Sequence, residues 1–473
     1  MDNDLWGHLF FGREILQGGQ LPTHNLYSYT APDYRWINHE WLAEIIFYWP
    51  YQAFGSTGLI LLKVALGAGV VWMLDRIVRE RVSSPFVRAV TLVWTMAILS
   101  PGFNVRPQIF TYLFFSILLF FFYRYENRRT RILYWVPLLI VVWVNLHGGF
   151  VAGLGAFVLF TVWTTIAAGR DGKGAGLNKT TIFIPVVLSL FSLVLNPFGL
   201  DLLPFLWKDL LLNRPITEWQ PIFFLDFSFF EFKLAALFVL LFSLRGENLR
   251  RWDFILAVLA ALLAFRYQRH TPLFGIVAAP FLAQAVQQVY LWIQTRVREW
   301  LLVMLLLAGC FYQIIWIGRI HLEHRFQIVV NPLDYPTQAA DFLLQNRIQG
   351  NMAVPFDWGE YFIWKFYPSV RVSIDGRYTT AYPVEVIEDH WDWMEGKKGW
   401  RRLLERYPTE IAITNRKHPV TALLRKDPQW VYIYSDPVAF IFVRNTASNE
   451  QLLTRFREKQ LLLPQPPSIY FPG

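Results

Sequence analysis

Ten apolar runs, most of them near the length that crosses a lipid bilayer, dominate this 473-residue chain. They fall at about 57–78, 85–100, 107–123, 131–146, 149–168, 180–196, 227–245, 252–266, 271–293 and 299–318. A backbone inside hydrocarbon must satisfy its own polar groups, so runs of this kind can only be helices. The composition agrees: 54% of residues are hydrophobic, and 41 Phe, 21 Trp and 21 Tyr exceed what a soluble core needs. The fold class expected is a polytopic α-helical membrane protein. The net charge of +9 does not indicate nucleic acid, because Lys and Arg cluster in the short loops between apolar runs. The one cysteine, Cys310, excludes an intrachain disulfide framework.

The loops form two alternating sets. One carries Arg76, Arg79, Arg81 and Arg88, then Arg124, Arg128, Arg129 and Arg131, then Arg170, Lys173 and Lys179, then Arg245, Arg250 and Arg251, then Arg296 and Arg298. The other carries only Arg106, Lys208, Arg214, Arg266 and Arg269. The positive-inside rule assigns the first set to the cytoplasm. Residues 1–56 and everything after about 320 then face outward. An outward N-terminus with no signal peptide leads to the expectation that a first transmembrane helix precedes Met1. Residues 41–55 are apolar but short and contain Pro50, which suits a helix lying in the outer interface rather than a span. Three segments are expected: residues 1–56 as the first outer loop with its interfacial helix, 57–320 as the transmembrane domain, and 325–473 as a soluble mixed α/β domain.

The unusual residues gather on the outward side. Met1–His8 reads MDNDLWGH, which places Asp2, Asp4 and His8 at the membrane entrance, and His39 and Glu40 follow in the same segment. Arg106 lies in PGFNVRPQ, Asn145 and His147 in NLHGG, Trp219 behind Glu218, and Arg266, Arg269 and His270 in RYQRHTP. The opposite loops hold only Arg, Lys and ordinary turn residues. Ionisable groups beside lipid are costly to keep, so their convergence on one face marks a site. Each also has a plain reading: solvated acids, snorkelling arginines, belt tryptophans and a packing histidine. Carboxylates in such a site can deprotonate an acceptor hydroxyl, and arginines can grip a phosphate. A divalent cation (Mg or Mn), if one is used, would sit on Asp4 and Asp2.

The pattern D-x-D-x-W-x-H-L, followed by GREILxGGxLP, YSYT and WINHEWLAE, resembles the first outer loop of bacterial integral-membrane glycosyltransferases of the GT-C class. These are relatives of protein mannosyltransferases, aminoarabinose transferases and oligosaccharyltransferase catalytic subunits. NVRPQIF, NLHGGF, NPFG and RHTPLF extend the resemblance through most of the membrane region. It implies a GT-C-like helical bundle and a polyprenyl-phosphate-linked sugar donor. It further implies transfer on the outer face of a bacterial inner membrane to an unidentified glycan, lipid or protein acceptor. Asp4 is the position that matches the class's catalytic acid, with Asp2, His39 and Glu40 in support. Arg106, Arg266, Arg269 and His270 are the expected donor-phosphate ligands. The alternatives are a polytopic transporter or lipid flippase, or a non-catalytic membrane scaffold.

The tail carries strand-like runs at AVPF, VRVSID, TEIAITN, WVYIYS and AFIFVR, with a hairpin turning at Asp436–Pro437. Helices are expected over 336–347, 358–366, 383–406 and 449–460. FDWGEYFIW and VSIDGRYTTAYP are similar to the acceptor-binding region of oligosaccharyltransferases. That likeness makes Asp357, Trp358, Asp375 and Arg377 candidate acceptor contacts. The competing reading has Trp358 packing under the sheet, Asp357 capping the next helix and Asp375–Gly376 making a turn.

Overall fold

The computed structural model describes residues 2–128, 130–170, 180–211, 217–243, 251–464 and 468–473. Arg129, Lys173, Lys179, Arg214, Arg245 and Arg250, counted above among the loop cations, lie outside the described residues. The chain divides into two compact units, one of residues 1–60 with 324–473 and one of residues 61–323.

The N-terminal segment folds as two helices, α1 (Leu5–Gly18) and α2 (Trp41–Phe54), packed against each other. Gly12 permits the approach: a methyl group there would strike the Glu44 carbonyl at 2.3 Å. Gly19, in the left-handed region at φ 64°, ends α1 by donating to the Ile15 carbonyl.

All ten apolar runs are helical. Among the described residues, six helices are long and apolar enough to cross a membrane. They are α3 (Ser56–Val78), α4 (Pro85–Leu99, extended by a 3-10 turn to Gly102), α5 (Gln108–Arg128), α7 (Phe150–Arg170), α12 (Thr271–Gln294, preceded by a 3-10 turn from Gln268) and α13 (Glu299–Glu323). The expected spans at 131–146, 180–196, 227–245 and 252–266 are shorter helices: α6 (Val136–Val144), α8 (Thr180–Ser192), α10 (Phe230–Ser243) and α11 (Trp252–Arg266). The helix α9 (Leu202–Leu211) lies between α8 and α10. In this second unit α12 is central, packing on α4, α5, α10 and α11. A methyl group on Gly275 of α12 would strike Leu99 and Ile98 of α4 at 2.7 and 3.0 Å, so glycine permits a close helix contact of the kind that joins helices in lipid. Phe122 and Phe160 stack at 4.4 Å, with Trp252 edge-on to Phe160 at 5.1 Å.

The basic loops of the first set are more than orientation signals, which corrects the reading above. Asp253, 1% exposed, accepts from Arg251 at Nε (2.9 Å) and Nη2 (2.9 Å), from Arg81 (3.0 Å) and from the Tyr123 hydroxyl (3.0 Å). Taking a carboxylate out of water is tolerable here because every approach to it is a donor.

The tail is a five-stranded sheet of order β2-β1-β3-β5-β4, with β1 (Gly350–Ala353), β2 (Val370–Val372), β3 (Ile411–Asn415), β4 (Trp430–Ser435) and β5 (Ala439–Arg444). Here β1 is parallel to β2 and β3, whereas β5 runs antiparallel to β3 and β4. The first strand stops before Pro355, which has no N–H to donate, so AVPF supplies only its first residue, Ala353, to β1. The hairpin turns where expected: Asp436 Oδ1 accepts from the Val438 and Ala439 amides, both at 2.7 Å. The tail's helices are α14 (Thr337–Gln345), α15 (Gly359–Phe366), α16 (Val384–Met394), α17 (Arg402–Arg406), α18 (Val420–Leu424) and α19 (Glu450–Arg457), of which α14 packs on β5, α15 on β2 and α18 on β3. The helix expected over 383–406 is split into α16 and α17, with Gly396 left-handed at φ 64° between them. Trp393, Leu403, Leu404, Ala412 and Phe442 form part of the core on that side.

The N-terminal segment completes this unit. The Tyr29 amide donates to the Val372 carbonyl and the Val372 amide to the Tyr27 carbonyl, each at 3.2 Å, so residues 27–29 pair beside β2. Trp6 is fully buried against Tyr335, Tyr361 and Phe471, with its Nε1 donating to the Pro472 carbonyl at 2.9 Å.

Candidate functional site

Asp4 stands at the N-terminal end of α1, where the exposed amides of a helix start favour negative charge. Its carbonyl accepts from the His8 amide at 3.0 Å, and its own amide donates to Asp2 Oδ1 at 3.1 Å. The side chain does not cap the helix. Its Oδ1 instead reaches to 2.7 Å from the point a Cβ on Gly376 would occupy. Glu360 Oε1 comes to 2.8 Å from the same point. Two carboxyl groups therefore flank a glycine that has no side chain to keep them apart.

Glu360 belongs to the first turn of α15 and is 5% exposed. Its Oε2 accepts from the Gly7 amide at 3.2 Å. Burial, followed by the charges of Asp4 and Asp375, pushes its carboxyl well above the usual range, and Arg377 acts in the opposite direction. The helix α2 adds a second buried acid, Glu44, whose Oε2 accepts from Asn38 at 2.7 Å and whose Oε1 lies 3.8 Å from His8 Nδ1. Burial raises the Glu44 carboxyl despite His8 and Asn38. For His8, burial pulls the imidazole down, but Glu44, Glu40 and Asp4 outweigh it and the net shift is upward. His39 Nε2 lies 3.8 Å from Glu40 Oε1. Asp4, Glu40 and Glu44 thus all act on one buried histidine.

The remaining tail candidates separate into two kinds. Asp375 is fully buried: Oδ1 accepts from Arg377 Nε at 2.8 Å, and Oδ2 accepts from Arg377 Nη2 at 2.7 Å and from the Tyr382 hydroxyl. The Arg377 guanidinium also donates to Asn25 at 2.8 Å and lies over the rings of Trp36, Phe11 and Tyr27 at 4.6, 5.0 and 5.0 Å. Trp358 is buried, with Nε1 donating to the Asp334 carbonyl at 3.2 Å. Asp357 is exposed. The N-cap of α15 is Trp358, without a side-chain cap bond, so capping does not account for Asp357. Burial, then Asp2, Asp334, Asp357 and Asp4 in that order, raise the Tyr335 phenol.

Within the second unit, the arginine candidates gather at the 3-10 turns Thr217–Trp219 and Gln268–His270. Arg106 pairs with Glu218. Arg269 lies over the Trp219 ring at 4.7 Å, and Trp219 meets Tyr267 edge-on at 5.3 Å. Arg266 is exposed, with its guanidinium 5.4 Å from the Tyr267 ring centre, and the His270 ring is 6.1 Å from Tyr267. The turns are joined through the Gln268 amide, which donates to the Gln220 carbonyl at 3.1 Å.

Among the described residues, no three His, Cys, Asp or Glu side chains are grouped to hold a metal ion, and Asp4 with Asp2 forms no such set. Residues that the sequence reading passed over are Glu360 and Glu44, and Gly376 was read only as part of a turn. Each acid sits among apolar residues near the start of its helix, in GEYFIW and WLAEIIF, and a charge there must find a partner inside the fold.

No protein-family model and no curated protein matches the chain. Among solved structures, it is similar to the crystal structure of ArnT from Cupriavidus metallidurans bound to undecaprenyl phosphate. The identity is 14%, 94% of each chain is covered and the TM-score is 0.47.

Proposed function

We propose that this chain is a membrane glycosyltransferase that moves a sugar from a polyprenyl-phosphate donor to an acceptor on the outer side of a bacterial inner membrane. The observation that carries the reading is the Asp4 carboxylate. It heads α1 without capping it and is aimed over Gly376 beside a second acid. The sequence resemblance to GT-C transferases assigns its base to the same position.

In the step proposed, the acceptor's O–H or N–H attacks the anomeric carbon from the face opposite the phosphate. The new bond forms as the bond to the phosphate oxygen breaks, and that electron pair leaves with polyprenyl phosphate. The acceptor proton goes to Asp4, and the sugar's configuration inverts. Asp2, His39 and Glu40 set the field around that acid. Arg106, Arg266, Arg269 and His270 are the proposed phosphate ligands, suited to charge developing on the leaving group. Asp357, which is exposed, is the proposed acceptor contact. Trp358, Asp375 and Arg377 hold the frame.

The test uses the full chain in nanodiscs with radiolabelled polyprenyl-phosphate-linked mannose, glucose and aminoarabinose, offered to membrane extracts as acceptor. Transfer that disappears in Asp4→Asn supports the reading. Transfer that persists in that variant removes Asp4 from the mechanism.

A further inference from the structure

We propose that Glu360 is the positioning residue of Asp4 and that Gly376 is glycine so that both carboxyls can enter one space. This rests on Asp4 acting as the base. It adds that the tail supplies part of the site, two elements of it being Glu360 on α15 and the Asp375–Gly376–Arg377 turn after β2.

Three glycines carry the argument, because at each a side chain would collide with another part of this frame. A methyl on Gly7 would lie 2.2 Å from Glu360 Cδ, so the Glu360 carboxyl occupies the place of a side chain on α1. A methyl on Gly359 would lie 2.1 Å from the Ile374 carbonyl oxygen and 2.8 Å from Asp375 Cβ, so α15 begins directly on the turn. A methyl on Gly376 would lie 2.7 Å from Asp4 Oδ1 and 2.8 Å from Glu360 Oε1. The turn itself is fixed by the buried Asp375–Arg377 pair. The Gly7 amide, given to Glu360 at 3.2 Å, binds the first turn of α1 to this frame. That first turn leads directly from Asp4, so Glu360 sets both where the backbone bearing Asp4 lies and how closely its carboxyl approaches the turn. A base misplaced by about 1 Å costs on the order of 100-fold in rate.

The experiment compares Glu360→Ala, Glu360→Gln, Gly376→Ala and Asp4→Asn in the full chain, using the three labelled donors named above. Glu360→Ala and Gly376→Ala are expected to lower kcat by about 100-fold with donor KM unchanged. Glu360→Gln keeps the size and an oxygen for the Gly7 amide, and is expected to restore most of kcat. Wild-type kcat in both Glu360→Ala and Gly376→Ala, with Asp4→Asn inactive, overturns this proposal and leaves the base intact. Glu360→Gln as inactive as Glu360→Ala also overturns it, because charge would then be the property that matters. Activity in Asp4→Asn overturns the base reading instead. Amide hydrogen exchange needs no substrate. Exchange over Leu5–His8 is expected to quicken in Glu360→Ala and not in Glu360→Gln, and unchanged exchange in Glu360→Ala overturns the proposal even if none of the donors is used.

Discussion

Asp375 and Arg377 grip each other through two parallel hydrogen bonds, Nε to Oδ1 at 2.8 Å and Nη2 to Oδ2 at 2.7 Å, wholly inside the protein. The pair is bidentate and charge-assisted, the strongest form such a contact takes. Its surroundings are the aromatic rings of Phe11, Tyr27 and Trp36 from the N-terminal segment. The pair therefore joins that segment to the tail as well as shaping a turn.

Removing one member leaves the other charged and unanswered. Arg377→Met is expected to destabilise this unit by about 3–5 kcal/mol, the usual cost of breaking a buried pair. Thermal unfolding in detergent reads it. The double change Asp375→Asn with Arg377→Met should recover part of that loss. Equal losses in the single and double variants would show that the cost is packing rather than charge.

Asp4→Asn should reduce sugar transfer by about 100- to 10,000-fold, the range general-base catalysis supplies. Its effect on stability should be small, because the side chain does not cap α1. Paired measurements of transfer and melting temperature separate the two.

Acidity has a defined sign here. Glu44 and Glu360 both have carboxyls raised from the ordinary 4.5, and His8 is raised from 6.5. The folded unit therefore binds more protons than the unfolded chain. The stability these groups contribute is full below their ordinary values and is lost as pH rises through the raised ones. Melting temperature should fall from acidic toward neutral and alkaline pH. Glu44→Gln and Glu360→Gln should each flatten that slope, and an unchanged slope in both would refute the assignment.

Arg106 is engaged with Glu218, so a phosphate bound there competes with that carboxylate. Arg106→Ala and Arg269→Ala should each weaken binding of polyprenyl phosphate in nanodiscs by about 10- to 100-fold, the worth of a charged hydrogen bond. Glu218→Gln should tighten it. Titration of the three variants with polyprenyl phosphate decides.

The helical plan was legible because lipid imposes it: every apolar run is helical, with α6, α8, α10 and α11 shorter than the rest over the described residues. The hairpin at Asp436 was legible because its turn chemistry is local. What local pattern does not reveal is pairing across the chain. Residues 27–29 meet Val372, and Gly7 meets Glu360, across more than 340 intervening positions. Asp375 and Arg377 were visible as acceptor contacts or a turn. Their burial depends on aromatic rings supplied by the N-terminal segment, which no window around DGR contains.

The strand-like pairing of Tyr27 and Tyr29 with Val372 has a further consequence for biogenesis. The helices of residues 61–323 are synthesised between the two halves of the unit that holds Asp4. The first half must wait, unpaired, until the ribosome has delivered the last. The meeting of Asp4 with Glu360 is thereby deferred until the tail has been made, and a nascent chain halted in the membrane region carries an unfinished site.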